Sequence, residues 1–188
     1  RAMQYTPENP LYVIAIGAIT NVASAILMNP AIRERIVVVW LGGNAHHWTD
    51  NREFNLAQDV AAARILFGCG VPLVQLPCMG VVSSFTVSEP ELRQYLLGKN
   101  ALCDHLAQYA IEEGRRTASS DTWTRVIWDV TAVAWLLDGD FTADTLVHSP
   151  IPQYDHMWTP SATRHFIRYV YAIHRDRLLA DLIHKLTE

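Results

Sequence analysis

Residues 12–43, YVIAIGAITNVASAILMNPAIRERIVVVWLGG, decide the fold. Tyr12 to Ile16 is a short, wholly apolar run stopped by Gly17, the pattern of a strand buried on both faces. Thr20-Asn21 precedes Val22 to Met28, whose alanines and long side chains suit a helix with a polar N-cap, ended by Asn29-Pro30. Ile36 to Leu41 is β-branched and closes on Gly42-Gly43. Strand, helix and strand within about 30 residues is the spacing of a βαβ crossover. The class is therefore α/β.

Outward from this unit the alternation continues. Asn44 to Asn55 is polar and aromatic without periodicity and reads as a long loop leaving a strand's carboxyl end. Asp59 caps a helix over Val60 to Phe67, ended by Gly68 and Gly70, and Pro72 to Pro77 is a third buried strand. Glu89 to Glu113 is helical in pattern, with Gly98-Lys99-Asn100 as the break, and Gly114 to Thr122 is a polar linker. Trp128 to Leu137 is apolar at helical spacing after Asp129. Residues 141–162, with Pro150, Pro152 and Pro160 spread through them, read as loop. The β-branched and aromatic content of His165 to Ile173 reads as a strand, and Asp176 to Leu186 as an amphipathic helix. With no repeat and no low-complexity segment, residues 1–188 form one domain.

Composition narrows the function classes. Half of the 188 residues are hydrophobic and 18% are charged, so a large core is expected and disorder is excluded. The longest apolar runs fall far short of the roughly 18 residues of a membrane span. Fifteen Lys+Arg against 19 Asp+Glu leave no basic excess for nucleic acid. Cys69, Cys78 and Cys103 fit neither a disulfide framework nor a zinc site, and read as reduced thiols in a cytoplasmic protein. The amino terminus lacks the apolar region of a signal peptide.

In doubly wound sheets ligands bind beyond the carboxyl ends of the strands. That singles out Thr20 and Asn21, the loop 44–55, and Asp129. Asn21 and Asp129 also read simply as helix N-caps. The cluster Asn51-Arg52-Glu53-Phe54-Asn55 is denser in hydrogen-bonding groups. Glu53 and Asn55, two apart in an extended stretch, point to one side and could grip vicinal hydroxyls, the first accepting, the second donating and accepting.

Ile16-Gly17-Ala18-Ile19-Thr20-Asn21-Val22-Ala23 with Asn29-Pro30, Gly42-Gly43, Glu53-Phe54-Asn55 with Asp59 and Ala61-Ala62, Pro72-Leu73, and Trp128 through Ala134 together resemble the inosine-uridine preferring nucleoside hydrolases. The match runs in order along nearly the whole chain. The resemblance implies an open, mostly parallel, Rossmann-like sheet with helices on both faces, and hydrolysis of the N-glycosidic bond of ribonucleosides by a Ca²⁺-bound water. It implies that Glu53 and Asn55 bind ribose hydroxyls, that Asp129 ligates calcium and touches the 2′- and 3′-hydroxyls, and that the carbonyl of Ile16 is a backbone calcium ligand. It also implies a homo-oligomer, dimer or tetramer, acting on a small nucleoside in purine or pyrimidine salvage.

Three departures qualify this expectation. The family's D-x-D-x-x-x-D-D cluster, which supplies most calcium carboxylates and the general base, is absent, so the chain reads as the carboxyl-terminal part of a hydrolase, incomplete at the N-terminus. Trp128 stands where members carry a His before the metal Asp; an indole supplies no acid proton, so it could stack on the base or be a core aromatic, and His46, His47 and His156 are the candidates for leaving-group acid. His47 falls where the family's 5′-hydroxyl Asn stands, unless Asn44 is the counterpart. Tyr154, Asp155, His156 and Trp158 form either a lid or a surface turn. A non-catalytic nucleoside- or ribose-binding protein that has lost the metal site is the alternative.

Overall fold

A computed structural model of the chain describes residues 1–137 and 139–188. In chain order its elements are β1 (Leu11–Ala15), α1 (Thr20–Met28), β2 (Ile36–Leu41), α2 (Phe54–Ala57), α3 (Val60–Gly68), β3 (Leu73–Leu76), β4 (Thr86–Ser88), α4 (Glu89–Tyr95), α5 (Ala101–Thr117), β5 (Thr124–Val126), α6 (Val130–Ala134), β6 (Thr142–His148), β7 (Ile151–Pro152), β8 (Trp158–Thr159), β9 (Phe166–Ile173) and α7 (Arg175–Thr187). The main sheet runs β1-β2-β3-β9-β6. Its first four strands are parallel and β6 is antiparallel to β9.

Alternation along the central strands divides the interior in two. Val38, Trp40, Leu73 and Ile167 face a cluster completed by Ile26 of α1 and by Leu66 and Phe67 of α3. Val39, Leu41, Val74, Leu76 and Val170 face the opposite cluster, which takes in Leu92 of α4, Ala107 and Ile111 of α5 and Leu178 of α7. Helices therefore cover both faces, and each buried Leu, Val or Phe contributes about 1.5–3 kcal/mol relative to exposure. Asp59 caps α3 as expected, accepting from the Ala62 N–H at 2.9 Å. Its other oxygen accepts from the Thr20 hydroxyl at 2.6 Å, which ties α1 to α3. Asn100 caps α5 through the Cys103 N–H, and this explains the break at 98–100.

The register sets Ala15 beside Trp40 and Leu41 beside Leu76, so β1, β2 and β3 end along one edge. Trp40 turns its ring back under Gly42, where any Cβ would collide with it, and its indole donates to the Gly17 carbonyl at 2.9 Å. This one side chain links the turns that follow β1 and β2.

Several sequence expectations differ from the structure. Strand β1 is not buried on both faces: it is the sheet's edge, and Tyr12 and Ile14 on one face are exposed. Residues 141–162 are not loop throughout, because β6, β7 and β8 lie there. The β6 sequence, TADTLVH, has neither alternation nor an apolar run, since it is an edge strand stabilised by its partner. Asp144 within it accepts from Arg168 of β9 at 2.6 Å and from the Trp135 indole at 2.8 Å. The polar segment 114–122 begins inside α5, which continues to Thr117. The helix after Asp129 is only Val130–Ala134. Finally, Asn21 is not an N-cap: α1 starts at Thr20 after Ile19, with no side-chain cap bond. Among the described residues no helix is long and apolar enough to cross a membrane.

Candidate functional site

A cavity of about 450 Å³ opens where β1, β2 and β3 end. Its polar wall contains Asn44, Arg52, Glu53, Asn55 and Asp129, and its apolar wall Ile16, Leu41, Phe54, Cys78, Met79 and Trp128. Residues far apart in the chain meet there because parallel strands deliver their following turns to the same edge.

Glu53 is held by the backbone around it. It is the N-cap of α2, with Oε1 accepting from Asn55 N–H at 2.8 Å and Oε2 from Leu56 N–H at 2.9 Å. Oε2 also accepts from the Gly43 N–H at 2.8 Å, which joins the end of β2 to the start of α2. The side chain is buried, and the three N–H donors take both lone pairs of Oε2 and one of Oε1, which leaves one on Oε1 for a ligand. Asn55, also buried, donates from Nδ2 to the Leu41 carbonyl at 2.9 Å. Its amide oxygen has no hydrogen-bond partner among the described residues and is the acceptor it can offer.

Asp129 is the opposite case. It occupies the N-cap position of α6, yet makes no side-chain cap bond, so the capping expectation fails for it. Its carboxylate is exposed and lines the cavity. Trp128 beside it is half-buried, packs against the larger core cluster and also lines the cavity, so it is a core aromatic with one face toward the site.

The three histidines weighed as acids stand elsewhere. His47 is exposed and does not line the cavity. His46 sits 4.3 Å from the Tyr169 ring and 5.1 Å from the Trp158 ring, and its Nε2 is 2.9 Å from Gln75 Oε1. Burial holds its pKa below the usual histidine value. His156 lies in the turn between β7 and β8 with φ 64°, and its carbonyl accepts from the Asn51 N–H at 2.8 Å. Asn44 does reach the cavity, but its amide is engaged, donating to the Asp50 carbonyl at 3.0 Å and accepting from the Met79 N–H at 3.2 Å. Of Thr20 and Asn21, the first binds Asp59 and the second lines a separate hollow beside α1.

Cys78 and Met79 are site residues that sequence reasoning passed over. They follow β3 as residues 44–55 follow β2, so the same rule about strand ends would have found them. Burial first, and then the nearby carboxylates of Glu53 and Asp129, push the Cys78 thiol up, so it stays protonated. The cavity thus offers a neutral thiol rather than a nucleophilic thiolate.

The donor set is too small for calcium. Six to eight oxygens are needed. The residues implied as ligands are one carboxylate, Asp129, and one carbonyl, that of Ile16, and the Glu53 oxygens already accept three N–H bonds. Among the described residues no group of three His, Cys, Asp or Glu is placed to hold a metal ion. The residues present do not by themselves make a calcium site.

A family model described as inosine-uridine preferring nucleoside hydrolase matches residues 1–175. The pyrimidine-specific ribonucleoside hydrolase RihB of Escherichia coli K12 is 35% identical over 89 residues, covering 45% of this chain and 28% of that protein. A putative RihB of Shigella dysenteriae is also 35% identical over 89 residues, covering 45% of this chain and 32% of that protein. Among solved structures, a purine-preferring ribonucleoside hydrolase from Gardnerella vaginalis superposes with a TM-score of 0.83 at 18% identity, over 99% of this chain and 62% of that one. The plant nucleoside hydrolase PpNRh1 gives 0.81 at 17% identity, over 99% of this chain and 64% of that one. The chain therefore spans less than two thirds of the length of each of these proteins, and the structural likeness establishes the fold.

Proposed function

This chain belongs to the inosine-uridine preferring nucleoside hydrolase family, and we propose that it forms the ribose-binding part of an enzyme that hydrolyses ribonucleosides to free base and ribose. The observation that carries this reading is the convergence of Glu53, Asn55 and Asp129 on one cavity whose remaining wall is apolar. Glu53 accepts from one ribose hydroxyl, the free oxygen of Asn55 from a second, and Asp129 from the 2′- and 3′-hydroxyls. Phe54, Met79 and Trp128 give the base an apolar wall. Water oxygen bonds to the anomeric carbon as the bond to the base nitrogen breaks, and the proton that the water loses is the net proton gained by the departing base. The carboxylates of Glu53 and Asp129 stabilise the positive charge that develops on the sugar.

Calcium is the cofactor the resemblance implies, and its water the nucleophile, but these residues supply only part of a coordination shell. That shortfall favours a second reading for the chain taken alone: a pocket that binds ribonucleosides without hydrolysing them. The family reading also carries a homo-oligomer, a cytoplasmic setting and a place in nucleoside salvage. The test is incubation of the full-length protein with inosine and with uridine, with and without added Ca²⁺, followed by chromatography of the free base. Calcium-dependent release of hypoxanthine or uracil is the expected result. Binding without release would establish the second reading, and neither binding nor release would overturn both.

A further inference from the structure

The turn at 153–158 is neither a free lid nor a bare surface feature, because it is seated on the loop that carries Glu53. Strands β7 and β8 pair as a short hairpin, Pro152 opposite Trp158. Arg64 of α3 fastens it, donating to the Pro152 carbonyl at 2.6 Å and to the Gln153 side chain at 3.1 Å. From this base the Trp158 indole N–H donates to the Asn44 carbonyl at 3.0 Å. The indole packs edge-on against Phe67 and His46, at 5.2 and 5.1 Å between ring centres. The His156 carbonyl takes the Asn51 N–H at 2.8 Å, and the Asn51 side chain in turn accepts from the Asn44 N–H at 2.7 Å.

Gly43 lies under this clamp. Its φ is +72°, and a Cβ there would lie 2.8 Å from the Trp158 ring and 3.0 Å from Asn51 Oδ1. The Gly43 N–H donates to Glu53 Oε2 at 2.8 Å. The ring lies against Gly43 and its indole holds the Asn44 carbonyl, so the backbone on the carboxyl side of this donor is fixed, and the donor holds the carboxylate.

We propose that Trp158 is a positioning residue for Glu53, acting through the backbone of Gly43 and Asn44, so that the hairpin sets the geometry of the ribose pocket without lining it. This inference rests on the ribose-binding reading of Glu53. The experiment compares Trp158→Phe, Glu53→Gln and the double variant in the full-length protein, with inosine and uridine as substrates. Trp158→Phe raises KM about fivefold, the effect of one lost hydrogen bond, with kcat changed less than twofold. In the Glu53→Gln background the same substitution changes KM less than twofold, because the group it positions is altered.

A second readout is amide hydrogen exchange, which speeds at least tenfold at Gly43 in Trp158→Phe while the β2 and β3 amides stay protected. Where Phe lowers the melting temperature, Trp158→Tyr keeps a large ring without the indole N–H and is read in the same way. Full additivity of the two KM effects, or unchanged exchange at Gly43, overturns the inference. Failure of the functional reading looks different: the wild-type protein would neither bind nor cleave the nucleosides, while the exchange at Gly43 would still report whether Trp158 holds that stretch of backbone.

Discussion

Glu53 and Asp129 face the same cavity and stand at the same place in their local structure, each just before the first residue of a short helix. Glu53 is buried and accepts three backbone N–H bonds, from Gly43, Asn55 and Leu56. Asp129 is exposed and caps nothing. The difference separates two tasks that one residue type can perform. One carboxylate organises the loop after β2 and offers a ligand its remaining lone pair; the other makes no side-chain hydrogen bond among the described residues and is available to whatever enters. The contrast predicts that stability and function divide unequally between them.

The largest effect is expected at Glu53→Ala. It strips acceptors from three N–H groups at a buried site, so unfolding in urea should show a loss of about 3 kcal/mol, along with lost nucleoside binding. A loss below about 1 kcal/mol would break the comparison from the Glu53 side. Next is Asp129→Ala, which should reduce turnover of inosine and uridine in the full-length protein at least a hundredfold, the loss of a group acting at the reacting sugar. Its stability should stay within about 0.5 kcal/mol of wild type. Unchanged turnover would show that the free carboxylate has no part in the site.

Asn55→Ala is intermediate, because the side chain both binds the Leu41 carbonyl and offers its oxygen. About 1 kcal/mol of stability and about tenfold in ribose affinity should be lost together. A smaller change concerns pH. Burial lowers the pKa of His46 in the folded chain. Between that lowered value and about 6.5 the unfolded chain holds the proton and the folded chain does not. Stability should therefore fall as pH drops through that window, and urea midpoints between about pH 5 and 7 should flatten in His46→Asn. The smallest effect belongs to His47→Ala: exposed and outside the cavity, it should leave binding within twofold, and a larger loss would move the 5′ end of the substrate toward it.

Much of the frame was legible because it rests on local patterns. The apolar runs 12–16, 36–41 and 72–77, the Asp59 cap and the Gly98 to Asn100 break each state their element within a few residues. The Glu53-Phe54-Asn55 element was legible as a candidate site for the same reason. Strand β6 was not, because an edge strand with Asp144 at its middle owes its conformation to the Arg168 and Trp135 side chains that meet it, residues remote or unrelated in pattern. Cys78 and Met79 were legible only as residues past a strand's carboxyl end; that they share a cavity with Glu53 and Asp129 was set by sheet order.

The amino-acid sequence by itself determined the α/β class, the order of the central elements and the family to which they correspond, because hydrophobic periodicity, caps and a short polar motif are local in the chain. The tertiary structure alone decided how each polar group is used. Glu53, Asp129, His46 and Trp158 have side chains whose partners lie across the fold, and hydrogen bonding and burial, which separate an occupied carboxylate from an available one, depend on those partners.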